Sequence, residues 1–198
     1  MDDTLQKLLD KDEIRDVMLR YCRGVDRRDW EAMRASFFED FYDDHADFHG
    51  TRDEFVTWLV ERHDMPGFFQ STHMLSNCLI EFASNTVAVV ETYFSAKLEL
   101  AADAGGHRAM LAGGRLDADA SNLRVEVLGR YVDRFEKRSG QWRIARRHTV
   151  FDTTYSHPVA PGERRGAAWV LGQRGKDDPL YAVRAAAGLP AAHHAFQG

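Results

Sequence analysis

Four long runs rich in Val, Ile, Thr, Tyr and Phe follow a first third whose apolar residues recur at helical spacing. The runs are Thr72–Phe82, Thr86–Leu100, Arg124–Lys137 and Gln141–Asp152, and Ser84-Asn85 and Ser139-Gly140 supply tight turns between neighbours. Helices first and long antiparallel strands afterwards predict an α+β fold, because a parallel sheet would need helices interleaved with its strands.

Within the first third, Ile14, Val17, Met18, Tyr21, Cys22 and Val25 share one helix face, while Leu5, Leu8 and Leu9 fall on the opposite one. Asp10 with Glu13 resembles a capping box. The reading is a short N-terminal turn carrying the leucines, then a main helix from about Lys11 to Arg23 that stops at Gly24. A second helix is predicted over Trp30 to Phe38, a short strand within Phe41–Phe48, and a third helix opened by Thr51-Arg52-Asp53-Glu54 and running to about Arg62. Ala101–Asn122, rich in Ala, Gly and Asp, is long for a hairpin connection and reads as mobile or functional. Pro158, Pro161 and Pro190 with several glycines mark an irregular tail. The expected organisation is one domain over 1–154 and a tail over 155–198 that packs on it or on a neighbouring subunit.

Composition narrows the function. With 26 basic and 31 acidic residues the net charge is -5, which gives no electrostatic case for nucleic acid. No apolar run reaches membrane-spanning length, so no membrane partner is expected. Met1-Asp2-Asp3-Thr4 lacks the features of a signal peptide, and two lone cysteines, Cys22 and Cys78, read as reduced core thiols of a cytoplasmic protein. Asp43, Asp44, His45, Asp47 and His49 form a cluster of ligand types. Strand alternation, however, sets His45, Asp47 and His49 on one face and Asp44 on the other, and no HxxxH or HExxH spacing occurs. No metal and no cofactor are expected. His193-His194 reads as an inert tail feature, and Gly113-Gly114 as part of a flexible connection.

The polar residues that stand out are Asp26, just after the main helix, and His73, at the start of the first long strand. An aspartate there could equally be the N-cap of the Trp30 helix, with Asp29 in its first turn. The ordered motifs Tyr21-x4-Asp26-x3-Trp30, Gly50-Thr51-Arg52-Asp53-Glu54-Phe55, Thr72-His73-Met74-Leu75-Ser76-Asn77, Gly129-Arg130-Tyr131-x-Asp133 and Gly140-Gln141-Trp142-Arg143-Ile144-Ala145-Arg146-Arg147 resemble the SnoaL-like branch of the nuclear-transport-factor-2-like superfamily. The resemblance spans Leu5 to Asp152, and Asp177-Asp178-Pro179-Leu180-Tyr181 is similar to the tail of such proteins. It implies a cone in which a curved antiparallel sheet wraps about three N-terminal helices around a deep apolar pocket. It also implies the chemistry of relatives such as scytalone dehydratase, bile-acid dehydratase, dehydrochlorinase and steroid isomerase. Ring-hydroxylating dioxygenase small subunits share the fold without catalysing, so a non-catalytic ligand-binding or accessory domain is the alternative.

In the dehydratase and dehydrochlorinase relatives an aspartate after the first helix pairs with a histidine at the start of a long strand, positions that Asp26 and His73 match. Histidine can remove a carbon-bound proton near neutral pH, and a neighbouring carboxylate fixes its tautomer. The expected catalytic set is therefore Asp26, His73 and Tyr21, with Tyr21 polarising a substrate oxygen. The expected reaction is a cofactor-independent elimination or isomerisation of a small hydrophobic molecule. Scytalone dehydratase has a second histidine in the following strand, whereas Thr86–Leu100 offers only Glu91, Tyr93, Lys97 and Glu99, so the second acid is open. Tyr42, Phe48, Trp58, Asn77, Tyr93 and Tyr131 are expected to bind substrate. Alternation puts Arg146 and His148 on the face of Trp142 and Ile144, taken as inward, which brings them to the pocket as well. A homo-oligomer, trimer or dimer, is expected because a sheet tends to cover its outer apolar face.

Overall fold

The computed structural model describes residues 3–101, 122–159 and 168–190. The connection between Ala101 and Asn122, with Gly113-Gly114, lies outside the described residues, as does His193-His194. In chain order the elements are α1 (Asp3–Asp26), α2 (Trp30–Arg34), β1 (Phe37–His45), β2 (Phe48–Thr51), α3 (Arg52–His63), β3 (Phe68–Ser84), β4 (Val87–Leu100), β5 (Asn122–Arg138), β6 (Gln141–Val159) and α4 (Pro179–Ala186). The strands form one six-stranded sheet ordered β2-β1-β6-β5-β4-β3, antiparallel except for the parallel β1–β6 pair. It is curled but not closed, and α1 and α3 pack against it. This is the α+β architecture expected. No helix among the described residues is long and apolar enough to cross a membrane.

Unpaired residues account for the curl. The central β4–β5 pair runs without a register break from Val87↔Glu136 to Leu100↔Leu123. The strands flanking it do not. β3 gains one residue on β4 at three places, and β6 gains one on β5 at Ala145 and again at Asp152. Each such bulge bends its strand and increases the local twist, so the two flanks fold toward the helices. Gly129 sits at the second β6 break, where a Cβ would collide with the Val150 carbonyl and stand 2.9 Å from the Phe94 ring.

The concave face is apolar because β4 and β5 alternate: Ala88, Val90, Thr92, Phe94 and Ala96 are buried, as are Val125, Val127, Tyr131 and Phe135. They meet the predicted α1 stripe from Ile14 to Val25, which is buried as expected. Three boundaries differ from the sequence reading. First, α1 is one continuous helix. Asp10 is no cap but a buried carboxylate held by Lys137 Nζ at 2.8 Å and Gln6 Nε2 at 3.1 Å, and Leu5, Leu8 and Leu9 simply remain exposed. Second, α2 ends at Arg34, and Phe37 and Phe38 belong to β1. In a strand their side chains diverge, Phe37 toward Tyr21 and Phe41, Phe38 beneath the Arg138 guanidinium. Third, β6 continues to Val159, and the region read as irregular contains α4.

Candidate active site

The end of α1 and the start of β3 meet at Asp26. Its carboxylate accepts three hydrogen bonds, from Ser71 Oγ to Oδ1 at 3.0 Å, from the His73 backbone N–H to Oδ2 at 2.8 Å, and from His73 Nδ1 to Oδ1 at 2.7 Å. Asp26 is not the cap of α2, because Asp29 takes that role by accepting from the Ala32 N–H. Both partners are close to fully enclosed, with side-chain exposures of 11% for His73 and 8% for Asp26. Two of the three donors belong to His73 itself, so the carboxylate fixes both the strand backbone and the ring. With Nδ1 donating to Asp26, Nε2 is the unprotonated nitrogen, the tautomer a base requires.

His73 lines a cavity of about 270 Å³ together with Tyr21, Trp58, Phe94, Tyr131 and Phe151. Tyr21 and Tyr131 meet edge-to-face with their ring centroids 5.7 Å apart. Burial pushes the Tyr21 phenol well up, and the nearby Arg147 charge offsets this only in part, so Tyr21 is a proton donor rather than a base. Behind the two rings lies Arg147, fully buried, with Nε and Nη2 each 2.7 Å from an Asp133 oxygen. Its guanidinium stands 4.3 Å from the Tyr21 ring and 4.0 Å from that of Tyr131. Asp133 holds the Arg147 charge in place against the cost of burial, and the guanidinium packs against both phenol rings.

The predicted binding residues divide sharply. Trp58 and Tyr131 line the cavity, and Phe48 packs on the core beside Phe55 and Trp58. Tyr42, Tyr93 and Asn77 are exposed on the other side of the sheet, Tyr42 beneath Arg146 and Tyr93 beneath Arg130. Arg146 and His148 also point outward, His148 to Asp44 at 3.1 Å. The Ala145 bulge explains this reversal. Counted without it, Arg146 follows Trp142 and Ile144 inward; with it, Arg147 and Thr149 do.

Sequence reasoning also missed two histidines on the cavity wall. The turn at Ala46-Asp47 ends β1 before alternation can carry His49 inward, so His45 faces the cavity and His49 pairs with Asp44 outside. The signal was present in β1 itself, where Phe41, Asp43 and His45 alternate. His63, from α3, stacks on Phe68 and receives Arg174 Nη2 on Nδ1 at 2.7 Å, while Arg174 Nη1 reaches the His63 and Phe68 carbonyls. Burial lowers the Arg174 pKa to about 10. Next along the tail, Asp178 meets Arg27 at 3.2 Å and the Tyr181 hydroxyl donates to Asp29. Among the described residues no three His, Cys, Asp or Glu side chains are grouped to hold a metal ion.

A family model for a SnoaL-like domain matches residues 6–148. No curated protein matches the sequence. Among solved structures, a protein provisionally assigned as a scytalone dehydratase from Novosphingobium aromaticivorans superposes with a TM-score of 0.60 at 24% identity, over 82% of this chain and 99% of that one. A hexachlorocyclohexane dehydrochlorinase from Novosphingobium barchaimii gives 0.62 at 17% identity, over 83% and 99%. A protein of unknown function from Mycobacterium tuberculosis gives 0.56 at 22% identity, over 77% of each chain. At these identities the likeness is one of fold.

Proposed function

The chain belongs to the SnoaL-like domain family, and from that membership and the geometry of its cavity we propose that it is a lyase or isomerase of a small hydrophobic molecule, such as a steroid, a polyketide or an aromatic intermediate. The observation that carries the proposal is the 2.7 Å contact between a buried Asp26 and the ring of His73 on the wall of an aromatic cavity.

In this reading His73 Nε2 takes a carbon-bound proton that a neighbouring carbonyl acidifies. Asp26 is a positioning residue that holds the tautomer and stabilises the imidazolium that forms. Tyr21 donates a hydrogen bond to the oxygen on which negative charge develops, and the Arg147 charge behind its ring supports that donor. The aromatic walls exclude water from the carbanion-like transition state. No step needs a cofactor.

The test is a screen of hydroxylated steroids and polyketides, for turnover and for deuterium uptake from D₂O, with wild type and His73→Ala. Turnover that drops about 10²–10⁴-fold in the variant supports His73 as the base. Equal turnover in the two proteins removes it.

A further inference from the structure

His73 is not the only carboxylate-backed histidine on this cavity. His45, at the end of β1, lines it too. Its Nδ1 is 3.0 Å from Thr149 Oγ1 and 3.7 Å from Asp43 Oδ2. Asp43 is fully buried; its Oδ1 accepts the Asp44 N–H, whereas Oδ2 has no hydrogen-bond partner among the described residues and faces the His45 ring. Phe55, Trp58 and Phe151 surround the ring, with centroids 5.3–5.6 Å away, so its orientation is fixed. Nδ1 is thereby engaged, and Nε2 has no protein partner among the described residues. A buried carboxylate oxygen without a hydrogen-bond partner beside an imidazole favours the ring that carries the second proton, because the imidazolium places a countercharge next to it.

We propose that His45 is the general acid of the site, and that its presence selects substrates whose leaving group is a hydroxyl. This rests on the reading of His73 as base. The step balances as follows. His73 Nε2 takes the proton from carbon, the C–H electrons become the new C=C bond, and the C–O bond breaks. The departing oxygen takes the Nε2 proton of His45 and leaves as water. His73 ends as imidazolium and His45 neutral, and proton exchange with solvent after product release resets both. Hydroxide is a poor leaving group and needs that proton, whereas chloride needs none. An acid on β1, across the cavity from a base on β3, therefore makes chemical sense for dehydration and not for dehydrohalogenation. It also supplies the second acid that β4, which carries no histidine, does not.

The experiment uses three aryl ketones sized to the aromatic cavity: propiophenone, 3-hydroxypropiophenone and 3-chloropropiophenone. Ring nitrogens of His45 and His73 are followed by NMR during titration with propiophenone, with exposed His49 as control. Deuterium exchange at the α-carbon and elimination from the other two ketones are then measured for wild type, His45→Gln and His73→Gln. We expect the His45 and His73 signals to shift and that of His49 not to. In His45→Gln, water elimination should fall about 10²–10³-fold further than α-exchange and chloride elimination do. In His73→Gln all three should fall. Because α-exchange reports the His73 site, it also shows that His45→Gln is folded. Equal loss of water and chloride elimination in His45→Gln, or no loss of either, overturns the acid role. A His73 signal that shifts while His45 stays unmoved overturns it too. If both nitrogens shift but wild type exchanges no deuterium and eliminates neither group, the base reading fails first and takes this one with it. If neither nitrogen shifts, the shared cavity on which both stand is refuted.

Discussion

Replacing Asp26 by asparagine should reverse the tautomer of His73 without unfolding the protein. Asp26 offers two acceptor oxygens to three donors. Asparagine offers one acceptor and an NH₂. The His73 backbone N–H cannot stop donating, so the amide oxygen must take the place of Oδ2, and the NH₂ then faces Ser71 Oγ and His73 Nδ1. A serine hydroxyl can rotate to accept. The imidazole can accept only by moving its proton to Nε2, the nitrogen that has to be bare for catalysis. In serine proteases the corresponding change lowers kcat about 10⁴-fold, which at 1.36 kcal/mol per decade is about 5.4 kcal/mol of barrier.

Stability should change much less, because charge-assisted hydrogen bonds become neutral ones rather than disappearing, a loss of about 1–3 kcal/mol. For a chain of this length that lowers Tm by about 2–12 °C. Asp26→Ala is the contrast, since it strands the His73 N–H and the Ser71 hydroxyl at about 1–3 kcal/mol each. The assay needs no substrate: long-range ¹H–¹⁵N spectra report which ring nitrogen carries the proton. Wild type should show His73 protonated on Nδ1, and Asp26→Asn on Nε2. A variant that keeps the Nδ1–H form would refute the reasoning, as would full activity on any substrate that wild type turns over.

Other consequences follow from the same geometry. Arg147→Met leaves Asp133 buried without its countercharge and should lose about 3–5 kcal/mol in urea denaturation, while the pair Arg147→Met/Asp133→Leu should regain most of it. Burial pushes the Asp178 pKa up, but the N–H groups of Gln173 and Leu180 together with Arg27 outweigh it and hold the carboxyl below the ordinary value of 3.8. A depressed folded value means the contribution of Asp178 is complete above the unfolded pKa and fades as pH falls through the folded one. Hydrogen-exchange protection in α4, relative to the intrinsic rate at each pH, should therefore fall below about pH 4, and Asp178→Asn should show reduced protection already at neutral pH. Gly24→Ala gains about 1 kcal/mol of helix propensity, yet a Cβ there would stand 2.7 Å from Met33 Cβ and 2.8 Å from Met33 N. Overpacking against backbone, about 1–3 kcal/mol, should win and lower Tm; a rise would show that α2 shifts freely.

What could be read from the sequence, and what could not, follows one physical rule. Periodicity located the strands and the buried face of α1, since burial imposes a regular spacing. Motif order brought Asp26 to His73 although 47 positions separate them in the chain. Failures cluster where an unpaired residue or a turn resets the count. Alternation points Arg146 and His148 inward because it cannot register that Ala145 has no partner on β5, and nothing in Ile144-Ala145-Arg146 announces that. Tyr93 lies between Thr92 and Phe94, two residues of strand-forming type, so composition could not tell which face is inward. Alternation groups His45 with His49 because Ala46-Asp47 lacks the Gly or Asn that usually marks a turn, although Ala46 does adopt a left-handed conformation at φ 55°.

The Ala145 bulge separates two properties that a strand normally ties together. Removing that single codon would leave Phe135 opposite Ile144 and Asp133 opposite Arg147, because the lost residue pairs with nothing on β5. Every inward side chain would be kept, and only the bend would go. The identity of the wall and its curvature are thus encoded at different positions. Sites on β3 and β6 where a residue has no partner are places where descendants of this chain can resize the cavity by insertion or deletion without rewriting its chemistry.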